Sequence, residues 1–523
     1  MPAQVPQTMV QQADPTRAPE VTWRVWAGFC AMCVGMFMAI LDIQIVATSL
    51  PAIRDALAIE PDQMSWIQTA YLIAEVIAIP LTGFLSRAFS LRGLFLGALS
   101  IFTLASIGCA YSPDFATLIG FRIVQGLSGG CLIPLVFSAV FLMFPVRWQG
   151  LATTIGGVLA VLAPTIGPTV GGYITQTYSW PWLFLINVLP GVLALAAGAA
   201  FVVKGPRETG LLQRLDWLGL GALALGLAAL EIALKEAPER GWTSVLILGL
   251  LATVVITGAG FLARSLRHGD PIVDLRLFKD RNFALACILS FIFGMGLFGS
   301  VYMMPVFLGL VREHGPLDIG LIMLVTGVAQ LASAPIAVQL EQRLDARLLT
   351  AGGFLCFAVG LGMSFFQTVT TDFDEMFWPQ VVRGAAIMFC LLPPTRIALG
   401  MLSEAKVPDG RALFNLMRNL GGAIGIALID TVLWQRAPEL GKEIGIKLLE
   451  GDADALAFAN MTVYDIPPPG FVPPEQMLET IRPQVEAAGL TAAINEAWLM
   501  VAVFTFAVLA LLPFATRQER GGS

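Results

Sequence analysis

The 523-residue sequence predicts an all-α integral membrane protein: two bundles of six transmembrane helices with two extra helices between them, fourteen in all. Three observations predict it. The chain is 56% hydrophobic and only 13% charged, about half the charge of an ordinary soluble protein, and its mean hydropathy is +0.77. Runs of 18 or more residues almost free of charge recur along it, each long enough to cross a hydrocarbon layer of about 30 Å. Two of these runs carry the same polar residues in exchanged order, the mark of an internal repeat.

Taken in order, the apolar runs place spans at 25–50, 66–86, 93–111, 114–142, 150–172, 182–203 and 216–235. The second seven fall at 243–264, 283–310, 316–339, 347–367, 377–402, 410–435 and 495–515. Tryptophan tests these boundaries independently, because an amphipathic indole favours the membrane interface. All eleven tryptophans, from Trp23 and Trp26 to Trp434 and Trp498, lie near a proposed span end.

Arginine and lysine orient the chain. With a cytoplasmic N-terminus that side holds Arg17, Arg24, Arg147, Lys204, Arg264, Arg267, Arg343 and Arg347 among others, while the short loops opposite keep only Arg54, Lys235, Arg240 and Arg312. An even number of spans then returns the C-terminus to the cytoplasm. The reading divides the chain into an N-terminal tail (1–24), a first bundle (25–203), a linker with the two extra spans (204–265), a second bundle (266–515) and a C-terminal tail (516–523). No short apolar core with a small-residue cleavage site precedes the first span, so no cleaved leader is expected. The seven cysteines all fall in apolar stretches, which predicts no disulfide; Cys30 and Cys33 form a CxxC pair best read as helix packing.

The outer segment 436–494 is unusually long and carries a proline-rich run at 466–474. Four basic residues (Arg436, Lys442, Lys447, Arg482) face nine acidic ones, a net of −5 out of −6 for the whole chain. The chain therefore offers no nucleic-acid surface. A flexible spacer is one reading of the segment and a partner-docking element the other.

The repeat lies in spans 4 and 12. The first carries Arg122, Gln125 and Gly126 with Pro134 downstream, the second Gln380, Arg383 and Gly384 with Pro393. Gly171 and Gly172 in span 5 are echoed by Gly421 and Gly422 in span 13. A parallel repeat of six-helix halves is the expected plan of an alternating-access carrier holding its substrate near the midplane.

Several stretches together resemble a known family. Leu41-Asp42-Ile43-Gln44-Ile45 in span 1 looks like an acidic first-span motif, and Arg122-Ile123-Val124-Gln125-Gly126 is similar to an RxxQG motif. Ala163-Pro164-Thr165-Ile166-Gly167-Pro168-Thr169-Val170-Gly171-Gly172 resembles an antiporter motif, and segments 182–191 and 271–283 follow the same pattern. The resemblance is to the major facilitator superfamily, in its fourteen-span drug:proton antiporter branch of the EmrB type, and covers nearly the whole chain. It implies the major facilitator fold and proton-driven export of hydrophobic or amphiphilic compounds from the inner membrane, with no cofactor beyond the proton gradient. It also implies a periplasmic adaptor of the EmrA type and an outer-membrane channel as partners, and assigns Asp42 and Arg122 to proton coupling. One departure stands out: the loop between spans 2 and 3, Gly83 to Arg92, lacks the family's acidic residue; Arg87 and Arg92 keep the positive charge, which either faces a helix C-terminus or an acidic partner or simply marks the cytoplasmic side.

Ionisable groups at membrane depth are costly unless paired or hydrated, which makes each a functional candidate. At 1.5 Å per residue, Asp42, Glu75 and Arg122 all sit about 12–14 Å below the outer surface. A carboxylate paired with arginine stays ionised and loses that preference when the pair parts, which is the switch a proton antiporter needs. The competing reading is a static buried pair that fixes helix register. Glu231 and Asp430 read as interfacial and solvated; Arg383 and Arg418 lie deeper and could balance a carboxylate or line a cavity. The glycines and prolines of span 5 (Pro164, Gly167, Pro168, Gly171, Gly172) permit bending and close helix approach, as a gate requires.

Other function classes find little support. The two histidines, His268 and His314, are far apart, so no metal site or nucleophile–base pair is visible, and no phosphate-binding GxxxxGK[ST] loop is present. A membrane enzyme or direct ATP drive is thereby disfavoured. A proton-coupled importer or facilitator of a small organic metabolite stays open, because a fold does not fix direction.

Overall fold

The structure, a computed structural model, describes residues 22–515 apart from 48, 60–62, 65, 206, 208–209, 211–215, 268–272, 401, 403–405 and 463–474. The expectations for the two tails and the proline-rich run 466–474 fall outside these residues or nearly so. The first bundle comprises α1 (Trp23–Ala47), the short α2 (Leu50–Leu57), α3 (Trp66–Phe89), α4 (Leu91–Ala110), α5 (Phe115–Met143), α6 (Val146–Thr177), and α7 (Trp182–Leu185) continuing into α8 (Val188–Phe201). The extra pair is α9 (Trp217–Arg240) and α10 (Val245–Arg267). The second bundle comprises α11 (Arg281–Leu310), α12 (Pro316–Arg343), α13 (Ala346–Met363), α14 (Phe373–Leu399), α15 (Val407–Leu449), the short α16 (Ala453–Phe458) and α17 (Glu475–Ala507). Thirteen of the described helices are long and apolar enough to cross a membrane, and α6, bent by 43° between 147–164 and 166–177, makes the fourteenth. The bend falls at Pro164, where the ring removes a backbone donor.

Short polar residues start these helices where the apolar runs begin. The side chains of Asp114, Asp216 and Asp280 accept the backbone N–H of Thr117, Gly219 and Phe283, and Asp372 forms a capping box with Glu375.

The two bundles repeat each other's packing. In the first, α5 lies against α3, α4 and α1, while α1 also packs on α6 and α8; in the second, α14 lies against α12, α13 and α11, while α11 packs on α15 and α17. The bundles meet through α6 with α12 and through α3 with α15, contacts that exchange under the same repeat. Two glycines enforce the match. A Cβ on Gly126 would stand 2.3 Å from the carbonyl oxygen of Tyr71, and one on Gly384 would stand 2.2 Å from that of Thr326, so each allows two helix backbones to touch.

Three expectations need correction. Residues 436–494 are not chiefly a flexible spacer: α15 continues to Leu449 and α17 already begins at Glu475, so the two helices run on beyond the span ends read from the apolar runs. They hold each other through Arg436, which grips Glu496 with two bonds of 2.8 Å, and through Gly489, whose Cβ would stand 2.7 Å from Cα of Gly441. Leu448, Leu456, Met461 and Ala488 make a small core there. Charges ended the apolar run at Arg436, but they pair with each other across the hairpin and do not end the helix. Second, Trp498 is no interfacial anchor; it is 1% exposed and packs under Arg383. Third, Glu231 of α9 is not solvated at an interface but buried, within range of Glu75 on α3.

Candidate functional site

The most complete polar constellation lies in the first bundle, on helices that are otherwise apolar. Asp42 projects from α1, Arg122 and Gln125 from adjacent turns of α5, Ser106 from α4, and Asn187 from the residue that opens α8. All five side chains are buried. Arg122 Nη1 donates to Asp42 Oδ2 and, at 2.8 Å, to Gln125 Oε1, while its Nε donates to the Ile67 carbonyl at 2.9 Å. The other carboxylate oxygen of Asp42 accepts from Gln125 Nε2 at 2.9 Å and from Asn187 Nδ2 at 2.7 Å. Gln125 Nε2 also reaches Ser106 Oγ at 2.9 Å. The guanidinium lies 4.5 Å from the ring centroid of Tyr71 and 5.7 Å from that of Phe184.

Chemically this is a fully desolvated ion pair whose carboxylate has both oxygens engaged. Breaking such a pair by removing one charge leaves the other buried and uncompensated, at a cost of about 3–5 kcal/mol. Protonating Asp42 removes one charge in just that sense, so the proton content of this carboxylate and the position of Arg122 are tied. Arg122 Nη2 has no acceptor among the described residues, leaving an NH2 group with which the guanidinium can take a new partner.

Sequence reasoning singled out Asp42, Arg122, Gln125 and Gly126, which the structure brings together. Glu75 sits apart: its carboxylate makes no hydrogen bond among the described residues, and the charges acting on it are Arg122, Arg418 of α15 and Glu231 of α9. Asn187 was not singled out. Its signals are an amide between Ile186 and Val188 and its place in the segment 182–191 that follows the family pattern, and neither shows that it aims at Asp42.

The remaining candidates divide by bundle. In span 5 a Cβ on Gly167 would stand 2.5 Å from Cβ of Gln44, and one on Gly320 of α12 would stand 2.5 Å from the backbone nitrogen of Thr169 beside Pro168. The bend at Pro164 and this near-bare backbone contact between bundles lie where Gly171 and Gly172 continue α6. Arg92 donates to the carbonyl of Ala199 near the end of α8, and Arg87 acts on Asp409 of α15, so the acid absent from the 83–92 loop is supplied by the opposite bundle. Asp430 is half-buried and accepts from Tyr302 Oη, and its neighbour Thr431 accepts from Trp242 Nε1 at 3.0 Å. Arg418 Nη2 donates to Asn415 at 3.1 Å. Arg383 is 2% exposed and pairs with no carboxylate among the described residues.

Among the described residues no three His, Cys, Asp or Glu side chains converge as a metal site, and all seven cysteines are free. Outside the spans, Asp372 is held below the ordinary carboxylate range: partial burial works the other way, but Arg312 at 2.8 Å, the Phe373 N–H and His314 together prevail.

The fold agrees with what known proteins show. The Major Facilitator Superfamily model matches residues 32–426. The chain is 35% identical over 514 residues to the colistin resistance protein EmrB of Acinetobacter baumannii, covering 96% of this chain and 99% of that one. It is 32% identical over 410 residues to the multidrug export protein EmrB of Escherichia coli K12, covering 77% and 79%. Among solved structures, a human organic anion transporter superposes with a TM-score of 0.59 at 14% identity, covering 94% of this chain and all of the other, a likeness of fold.

Proposed function

The chain belongs to the major facilitator superfamily, a family of multi-pass membrane transporters and not of enzymes, and from that premise we propose that it exports hydrophobic or amphiphilic compounds by proton antiport. The observation that carries the coupling is the Asp42–Arg122 pair, wholly buried and held by Gln125 and Asn187. With Asp42 ionised, the pair locks α1 to α5. With Asp42 protonated, Arg122 loses its counter-charge and the locked arrangement loses its main electrostatic support. We assign Glu75 of α3, acted on by Arg122 and by Arg418 of α15, as the second proton site; α3 and α15 pack together where the bundles must slide. Rocking about the α6–α12 and α3–α15 contacts then exposes the midplane to each side in turn.

Export, as opposed to uptake, is supported by relatives whose names describe multidrug export and colistin resistance. The inner membrane, with both termini in the cytoplasm, is the location this reading requires. The hairpin made by the outer ends of α15 and α17 is the element we assign to a periplasmic adaptor, because its helices run on beyond the apolar runs and the segment 436–494 is strongly acidic. Deleting 451–462 should abolish adaptor co-purification while leaving membrane insertion intact; unchanged co-purification contradicts the assignment. For transport itself, everted vesicles with an acid interior should accumulate a lipophilic dye through the wild-type protein and fail to do so with Asp42→Asn. Proton-driven accumulation in the opposite direction would contradict export.

A further inference from the structure

Arg383 presents a different problem from Arg122. It occupies the matching helix of the second bundle, one turn from Gln380, and is 2% exposed. Among the described residues no carboxylate answers it. Its Nη2 reaches only neutral partners, Met304 Sδ at 2.9 Å and Thr326 Oγ1 at 3.2 Å, and its Nε and Nη1 have no acceptor. Where α1 offers Asp42 to Arg122, α11 offers the thioether of Met304.

The surrounding groups are donors as well. Thr326 donates onward to Gln380 Oε1 at 3.0 Å, which leaves Gln380 Nε2 without an acceptor. Trp498 lies with its ring centroid 5.2 Å from the guanidinium, and its Nε1 is likewise buried and unpartnered. Both residues are 1% exposed. Four donor nitrogens from three neighbouring side chains thus lack acceptors among the described residues, beside an uncompensated positive charge. Neither arginine nor indole can accept a hydrogen bond, so the chemistry of the cluster is one-sided.

We propose that Arg383, Gln380 and Trp498 form an anion seat in the second bundle, taking a single negative charge carried by a hydrogen-bond acceptor. A cation is repelled there, and water answers the donors but not the charge. The carboxylate head of an amphiphile and a free inorganic anion such as chloride share this chemistry. The first source deepens the export reading by naming the charge of a substrate head group and rests on that reading; the second does not. The seat is shut from water in this conformation, so an anion enters as α11, α12 and α14 part.

The test is equilibrium binding to the purified full chain in nonionic detergent, read as the unfolding midpoint and independent of any proton gradient. Ionic strength is held with sulfate, a doubly charged and strongly hydrated ion, and the probes are chloride, dodecanoate and, as an uncharged control, dodecanol. Chloride or dodecanoate should raise the midpoint and dodecanol should not. Arg383→Gln should weaken the apparent affinity by roughly tenfold or more, as expected for a lost charge-assisted bond. Arg383→Lys should keep part of it, and Trp498→Phe and Gln380→Ala should each weaken it less. If Arg383→Gln does not fold, the other three variants decide. A response to chloride alone identifies the free-anion source, and one to dodecanoate alone the amphiphile head group. No response to either anion, or an undiminished response in the variants, overturns the seat. Asp42→Asn should keep the anion response, so loss of coupling and loss of the seat are separately visible.

Discussion

The two bundles put an arginine and a glutamine one turn apart on corresponding helices, and only the first gives its arginine a carboxylate. Around Arg122 the polar groups close on themselves: Asp42 accepts from the guanidinium and from two amides, and Ile67 takes Nε. Around Arg383 they do not, and Met304 stands in the counter-ion's place. Yet the helix packing of the two bundles matches pair for pair, down to Gly126 on Tyr71 and Gly384 on Thr326. Packing and charge are therefore separable. Small residues and apolar faces keep the repeat, while a few polar substitutions decide which bundle handles a proton.

That separation can be broken most severely at Arg122. Arg122→Met should destabilise the protein by about 3–5 kcal/mol by stranding Asp42, whereas Arg383→Met, measured without added chloride or carboxylate, should be neutral or stabilising. Thermal unfolding of both in one detergent checks this, and equal losses would erase the contrast. Next in size are the glycines. Gly126→Ala and Gly384→Ala should each cost about 1–3 kcal/mol through forced backbone separation, and by similar amounts if packing is truly duplicated. A large difference in their unfolding midpoints would show that the repeat is only approximate. The smallest effect sits at Asp372, which caps α14 as Asp114 caps its counterpart α5. Asp372→Ala should cost about 1 kcal/mol. Because its carboxyl is held below the ordinary range, that contribution is present above the unfolded value and fades as pH falls through the lowered one, so wild type and variant should converge in acid.

Much of this was legible in the sequence, for reasons that also mark where legibility ends. Apolar runs and tryptophans give span number because the membrane sets a length. A charge inside such a run stands out against its neighbours, so Asp42 and Arg122 could be found and their common depth counted. Depth is not azimuth, however. Asn187 reaches Asp42, and Glu231 is buried within range of Glu75 on α3, through helix rotations that chain position does not encode. Glu231 lies near the outer end of its apolar run, which suggests an interface, yet α9 continues to Arg240 with Glu236 pairing Lys235 and Arg240, and Glu231 is left inside. The hairpin of α15 and α17 was hidden in the same way, since charges such as Arg436 and Glu496 end an apolar run without ending a helix. The want of a counter-ion at Arg383 needed three-dimensional neighbours, because absence of a partner has no sequence signal at all.

The most direct measurement of the central claim is proton release on substrate binding. Purified protein in lightly buffered detergent, near neutral pH, is mixed with a transported lipophilic compound and the released protons are followed with an indicator dye. If Asp42 exchanges its proton for the Arg122-paired state as substrate binds, the wild-type protein releases protons and Asp42→Asn, which binds the same compound, releases markedly fewer. Equal release from the two proteins would contradict Asp42 as the coupling carboxylate.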